Sequence, residues 1–166
     1  MSNMFANVEM STISLQDLIT KNVTSMNSMF KNCDKLTTIN VGIMDTSNVT
    51  DMSYMLADCS NLEIINIKGL KTNNVTTLKA MLSGLSKITK FDLSSFNLLN
   101  VTNFDNMFDG STALTEVKMM TNINTEISTV DMFANINTNG TFYYNINYNY
   151  SRIISILPRT WTAIIA

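Results

Sequence analysis

The triplet Asn-Val-Thr stands at residues 22–24, 48–50, 74–76 and 100–102, so each start lies 26 residues after the one before. A fixed period of that size builds a solenoid, because one short unit cannot bury its apolar face alone and must stack on its neighbours. Written beneath one another, NVTSMNSMFKNCDKLTTINVGIMDTS, NVTDMSYMLADCSNLEIINIKGLKTN, NVTTLKAMLSGLSKITKFDLSSFNLL and NVTNFDNMFDGSTALTEVKMMTNINT keep apolar and polar positions in register. Partial units flank them. Met4 and Phe5 are the remnant of an earlier unit, while Ile127, Val130, Met132 and Phe133 continue the pattern with one residue deleted. The array therefore covers residues 1–144 in about six units, the first and last incomplete, and residues 145–166 form a C-terminal cap.

Each unit contains two kinds of apolar spacing. Met52, Met55, Leu56 and Cys59 fall at i, i+3, i+4 and i+7, the spacing of one helical face, and Thr50 before Asp51 suits a helix N-terminus. The same places hold Met26, Met29, Phe30 and Cys33, then Leu78, Met81, Leu82 and Leu85, then Phe104, Met107, Phe108 and Ser111. A short helix is predicted there in every unit. After it come Leu36, Ile39 and Val41, and their counterparts Leu62, Ile65 and Ile67, Ile88, Phe91 and Leu93, and Leu114, Val117 and Met119. The last residues of each run alternate inward and outward as a strand does. With Met10, Ile13 and Leu15 before them and Phe142 and Tyr144 after, six parallel strands are expected side by side.

The periodicity also disposes of several residues that would otherwise suggest chemistry. Met26, Met29, Met52, Met55, Met81 and Met107 share the inward face, so the methionines read as core rather than as an adaptable binding surface. Cys33 and Cys59 lie one period apart at a place where Leu85 and Ser111 also stand, and their spacing fits no zinc pattern. They read as small buried thiols, with a disulfide as the alternative. The Asn of each Asn-Val-Thr is formally a glycosylation acceptor, yet its repetition before every helical pattern favours a turn role for the amide.

The pattern N-V-T-x-M-x-x-M-F-x-x-C-x-x-L-x-x-I-x-L resembles the BspA-like leucine-rich-repeat family of bacterial surface proteins, and residues 140–164, GTFYYNINYNYSRIISILPRTWTAI, resemble the segment that closes such arrays. The resemblance implies an α/β leucine-rich-repeat solenoid with a parallel sheet on the concave face and short helices on the convex face. It implies extracellular or cell-surface display, adhesion to proteins, and no catalytic residues; with the repeat architecture it favours a module that binds a protein or glycan, in an extracellular, cell-surface or virion setting.

Composition narrows the chemistry further. The chain has no His, which removes the usual general base and the commonest transition-metal ligand. No enzymatic activity, cofactor or metal is expected. Eleven Lys and Arg against thirteen Asp and Glu give a net charge of −2, which argues against nucleic acid. No apolar run approaches the roughly 20 residues needed to span a bilayer, so membrane insertion is not expected.

The concave sheet is the usual binding surface of a solenoid. One column of outward-pointing residues comprises Ser14, Asn40, Asn66, Asp92, Lys118 and Tyr143, and the second Thr12, Thr38, Ile64, Lys90, Glu116 and Thr141. The expected ligand-binding residues are Asn40, Ile64, Asn66, Lys90, Asp92, Glu116, Lys118 and Tyr143. An alternative is a structural or assembly subunit, of a virion or surface appendage, that docks through the ends of the solenoid. In that case Met4 and Phe5, at an end without a cap, form the expected interface.

Overall fold

The computed structural model describes all of residues 1–166 and shows a parallel-sheet solenoid. Its elements are β1 (Thr38–Asn40), β2 (Ile64–Asn66), β3 (Lys90–Asp92), β4 (Glu116–Met119), β5 (Gly140–Tyr144), α1 (Ser151–Ser155) and β6 (Trp161–Ile165). The methionines and phenylalanines of the repeat fill one continuous core, in which Met26, Met29, Met52, Met55, Met81 and Met107 are fully buried. The apolar columns read in the four full units are columns that pack, whereas Met10 and Val130, read into the flanking units, are exposed.

The convex face differs from the expectation of short helices. Residues 26–33 and their equivalents run as successive turns, and the only helix is the five-residue α1 in the C-terminal segment. The reason lies in where the backbone donors go. Met52, Tyr54, Leu56 and Asp58 donate their N–H groups to the carbonyls of Thr77, Lys79, Met81 and Ser83 in the next coil, at 2.8–3.2 Å. Met26, Ser28, Phe30 and Asn32 do the same to Asp51, Ser53, Met55 and Ala57. An α-helix would need these donors for carbonyls four residues back. Each coil instead spends alternate N–H groups on its successor, forming a ridge in which N–H groups point toward the C-terminal end and the intervening carbonyls toward the N-terminal end.

Two left-handed residues per ridge make this possible. The first place holds Asn3, Ser28, Tyr54, Ala80, Asn106 and Asp131, and the second Asn7, Asn32, Asp58, Gly84, Gly110 and Asn135. The second column contains only Asn, Asp and Gly, the residues that tolerate positive φ at least cost. Inward placement at i, i+3, i+4 and i+7 survives because the turns keep the same side chains pointing at the sheet.

This conformation predicts an effect opposite in sign to that of a helix. In a helix interior, Gly→Ala stabilises by about 1 kcal/mol. Gly84 has φ +68, and a Cβ there meets Asp58 Oδ1 at 2.6 Å and Asp58 Cα at 3.1 Å. Gly84→Ala should therefore destabilise by at least about 1–2 kcal/mol, the cost of a left-handed L-residue. Urea denaturation measures it, and a more stable variant would restore the helical reading.

The Asn-Val-Thr triplet works between coils. Asn48, Asn74 and Asn100 donate their side-chain amides to Lys21, Ser47 and Asn73 carbonyls of the preceding coil at 2.7, 2.7 and 2.6 Å. Thr50, Thr76 and Thr102 donate their hydroxyls to Thr24, Thr50 and Thr76 carbonyls at 3.2–3.3 Å. Val49, Val75 and Val101 between them are fully buried. The cysteine position is also an inter-coil contact: Cys59 Sγ donates to Phe30 O at 3.0 Å, and Ser111 Oγ to Leu82 O at 2.9 Å. Both thiols are free and buried, and burial pushes the Cys59 thiol up to about 12.

The ends depart from the expected set of strands. Residues 10–15 contribute no strand, only an isolated bridge between Thr12 and Thr38. At the other end, the segment expected to act solely as a cap also supplies β6, which pairs with β5 in parallel from Gly140↔Trp161 to Tyr144↔Ile165. Tyr150 and Ile153, at the start of and within α1, are buried against the last coil.

Candidate functional site: the concave face

The two predicted columns are physically continuous along most of the sheet. Thr38 pairs with Ile64 and Asn40 with Asn66, while Lys90, Glu116 and Thr141 align in one row and Asp92, Lys118 and Tyr143 in the other. The intervening Ile39, Phe91, Val117 and Phe142 point into the core. Period-two alternation therefore places the columns on the outer surface, as the strand pattern implies.

Between β2 and β3 the ladder is broken. β1 and β2 form one sheet, and β3 to β6 form another. Across β1 and β2, Glu63 and Ile64 donate to Thr37 O and Val41 donates to Asn66 O; across β3 and β4, Thr115 and Glu116 donate to Thr89 O and Leu93 to Lys118 O. The equivalent bonds from Thr89 and Lys90 to Glu63 O, and from Ile67 to Asp92 O, are not made. The same two coils stay joined along the ridge, from Met52–Thr77 to Asp58–Ser83. The coils thus open like a wedge on the concave side only.

The wedge is a groove of about 580 Å³. Its floor and walls combine Ile64, Ile65 and Ile67 with Glu63, Lys68, Lys87, Lys90, Asp92, Glu116 and Lys118. Ile64, 63% exposed, presents an aliphatic surface at the rim. Lys87 pairs with Glu63 and Lys90 with Glu116, both at 2.8 Å, and the Glu116 carboxylate raises the Lys90 pKa. Burial pushes the Asp92 carboxyl up, but the adjacent Ser94, whose backbone N–H it accepts, and the ammonium groups of Lys118 and Lys68 outweigh it and hold the carboxyl below its usual range. Lys68 and Lys118 make no ion pair within 4 Å, leaving two ammonium groups over the groove.

Of the residues expected to bind ligand, Ile64, Asn66, Lys90, Asp92, Glu116 and Lys118 meet at this groove, whereas Asn40 and Tyr143 lie outside it. Several have a second task. Asn40, Asn66 and Asp92 each accept the backbone N–H two residues on, from Gly42, Lys68 and Ser94, at 2.9–3.2 Å. These side chains form the turn that ends each strand. Lys68, Lys87 and Glu63 were not among the expected residues, because they flank the strand core and reach the face only where the ladder opens. Met4 and Phe5 sit at the N-terminal end, with Met4 51% exposed and Phe5 half-buried in a stack on Phe30 at 5.5 Å.

No group of three or more His, Cys, Asp or Glu side chains is placed to hold a metal ion. No helix is long and apolar enough to cross a membrane. No curated protein and no solved structure matches the chain. The family described as "Mycoplasma protein of unknown function, DUF285" matches it twice, over residues 1–117 and 38–147, and the two matches overlap as a repeat aligned in two phases does. Together they span most of the 166 residues, and the chain belongs to that family.

Proposed function

We propose that this protein is a non-catalytic recognition module that holds a polypeptide partner on its concave face, with the groove between β2 and β3 as the centre of contact. The observation that carries this reading is the broken ladder. It leaves main-chain donors and acceptors of two adjacent strands free, beside an exposed isoleucine and two ammonium groups without ion-pair partners. Free strand edges take up an extended peptide through main-chain bonds, and side-chain pockets add selectivity. The groove exposes no aromatic ring on which a sugar would stack, since Phe91 is buried, and this favours a polypeptide over a glycan. Lys68 and Lys118 favour an acidic residue in that peptide. The resemblance to BspA-like leucine-rich-repeat surface proteins supports an adhesive role outside the cell.

The test uses the labelled 166-residue chain on arrays of immobilised peptides and of glycans. Peptides with an acidic residue flanked by aliphatic ones should be retained. The combined variant Ile64→Asp, Lys68→Ala, Lys118→Ala should weaken that binding at least about tenfold, the scale of a few lost anchor residues. Its melting temperature should stay near that of the wild type, because all three side chains stand outside the core. Retention of glycans alone, or unchanged peptide affinity in the folded triple variant, would remove the groove from consideration.

A further inference from the structure

At the junction of β2 and β3 only the strands are apart, and both flanks of the opening are joined as tightly as at a junction where the ladder is made. On the loop side Thr72 Oγ1 donates to Asn97 O at 3.0 Å and accepts Asn97 N–H at 2.7 Å. Between the coils of β1 and β2, which do pair, Thr46 and Lys71 form the same two bonds at the same two lengths. The ridge bonds likewise persist across both junctions, at 2.9 Å in the paired one and 2.8–3.2 Å in the open one. The two coils therefore already stand at stacking distance.

The main-chain groups that the opening leaves unpaired match one another. Ile64 N–H and Asn66 O bond to the coil of β1, so alternation along the strand turns Glu63 O, both groups of Ile65 and Ile67 N–H toward β3. Across the gap, Thr89 O and Leu93 N–H bond to β4, which turns the N–H and O of Lys90 and Asp92 toward β2. Lys90 N–H then stands opposite Glu63 O, Ile65 opposite Lys90 O and Asp92 N–H, and Ile67 N–H opposite Asp92 O. Four donors thus face four acceptors, in the register that the repeat uses where it does pair. Closure would also bury apolar surface, since Ile65 points inward yet is only half-buried, whereas its counterparts Ile39, Phe91 and Val117 are buried. No proline stands in either strand, and Lys87 already reaches across to Glu63 at 2.8 Å.

We infer that the groove is a gate, which alternates between this open form and a closed form in which β2 and β3 pair directly, and that a bound peptide competes with that pairing. The inference rests on the groove being the peptide site. Closure uses the same main-chain groups that an extended peptide would take, so the closed form excludes the ligand. Apparent affinity is then reduced by the fraction of molecules that are open. A peptide that offered main-chain bonds alone would only replace bonds the chain can make with itself. Retention therefore selects peptides whose side chains also engage Ile64 and the ammonium groups of Lys68 and Lys118.

A disulfide trap tests the closure without any ligand. Pairing sets residue 64 beside residue 90 as Thr38 stands beside Ile64, about 4.8 Å apart and within disulfide reach. The double variant Ile64→Cys, Lys90→Cys should form its internal disulfide at a rate within about tenfold of Thr38→Cys, Ile64→Cys, which spans the paired ladder. The variant Thr38→Cys, Lys90→Cys, two strands apart, should form none. These side chains stand outside the core, so all three variants should melt near the wild type, and the native Cys33 and Cys59 are buried and give no background. In the protein oxidised between 64 and 90, the amide protons of Ile65, Ile67 and Asp92 should exchange more slowly by at least about tenfold. Its affinity for a peptide with one Asp between isoleucines should fall by at least about tenfold and return on reduction with dithiothreitol. If the bond between 38 and 64 forms and that between 64 and 90 does not, the strands do not close and the proposal fails, whatever the peptide does. If the bond between 64 and 90 forms and peptide affinity is unchanged, the gating is overturned together with the groove as the peptide site.

Discussion

Met55→Asp should abolish cooperative unfolding, while Met55→Leu should cost less than about 1.5 kcal/mol. Met55 is fully buried in the third coil, in a column with Met29, Met81, Met107 and Met132. Its neighbours along that column are thioether and methylene groups that offer a carboxylate no hydrogen bond. Burying an unpaired charge is so unfavourable that the side chain must either take up a proton or leave the core. In a solenoid each coil is stabilised by the two beside it, so loss of a central coil uncouples both halves. Leucine nearly conserves the volume and adds no polar atom. Thermal melts followed by near-ultraviolet circular dichroism distinguish the variants, and an aspartate variant that melts like wild type would show that the apolar columns have been assigned to the wrong face.

Removing residues 145–166 should cause the chain to aggregate. Trp161 lies on Phe133 at 5.8 Å between ring centres and donates Nε1–H to Asn137 O at 2.8 Å. It also covers Gly140, where a Cβ would stand 2.3 Å from the indole. Tyr150 packs edge-on against Phe142 at 6.0 Å and gives its hydroxyl proton to Thr121 O. Burial raises the Tyr150 pKa well above its usual value, so the phenol stays protonated and remains a donor. Ile153 completes the lid. Each large side chain of this kind contributes roughly 1.5–3 kcal/mol by burial. Three of them amount to much of the 5–15 kcal/mol by which domains are commonly stable. Truncation would also leave the whole of β5 as an apolar edge. Light scattering of the truncated chain at rising concentration measures the effect, and a stable monomer would show that the segment is dispensable. Trp161→Ala, which keeps the backbone but opens a void above Gly140, should cost about 3–5 kcal/mol.

Much of this architecture was legible in one dimension. The 26-residue period located the core columns of the ridge and of the strands, and period-two alternation located both outward columns, because each depends only on which side chains must avoid water; the buried columns Met44, Leu70 and Phe96, and Val49, Val75 and Val101, were not among those read. The convex conformation was misread for an equally physical reason. Apolar residues at i, i+3, i+4 and i+7 describe a face, and a chain of turns can present the same face as a helix. The turn that rules out a helix is at Asn3, Ser28, Tyr54, Ala80, Asn106 and Asp131, a left-handed column of mixed residue types, while the second column, Asn7, Asn32, Asp58, Gly84, Gly110 and Asn135, holds residues suited to positive φ. That second column stands next to the last residue of the predicted helical face, where a helix also ends on Asn or Gly in the left-handed region, so it fits both conformations.

The sequence by itself determined the inward columns of the ridge and strands in the four full units, the stacking repeat, and the lack of histidine chemistry, since these follow from composition and spacing. Three features were decided only when the coils packed. Alternate ridge donors bond to the next coil rather than within their own, because the carbonyls of a stacked neighbour lie within 2.8–3.2 Å of them. The ladder opens between β2 and β3, bringing Lys68, Lys87 and Glu63 to the concave face although their repeat positions are unremarkable. Residues 161–165 become a strand because β5 presents a free edge and Gly140 leaves room for the Trp161 ring. In each case the choice depends on a backbone hydrogen-bond partner or a close approach about 20 or more residues away, and apolar patterning carries no information about either.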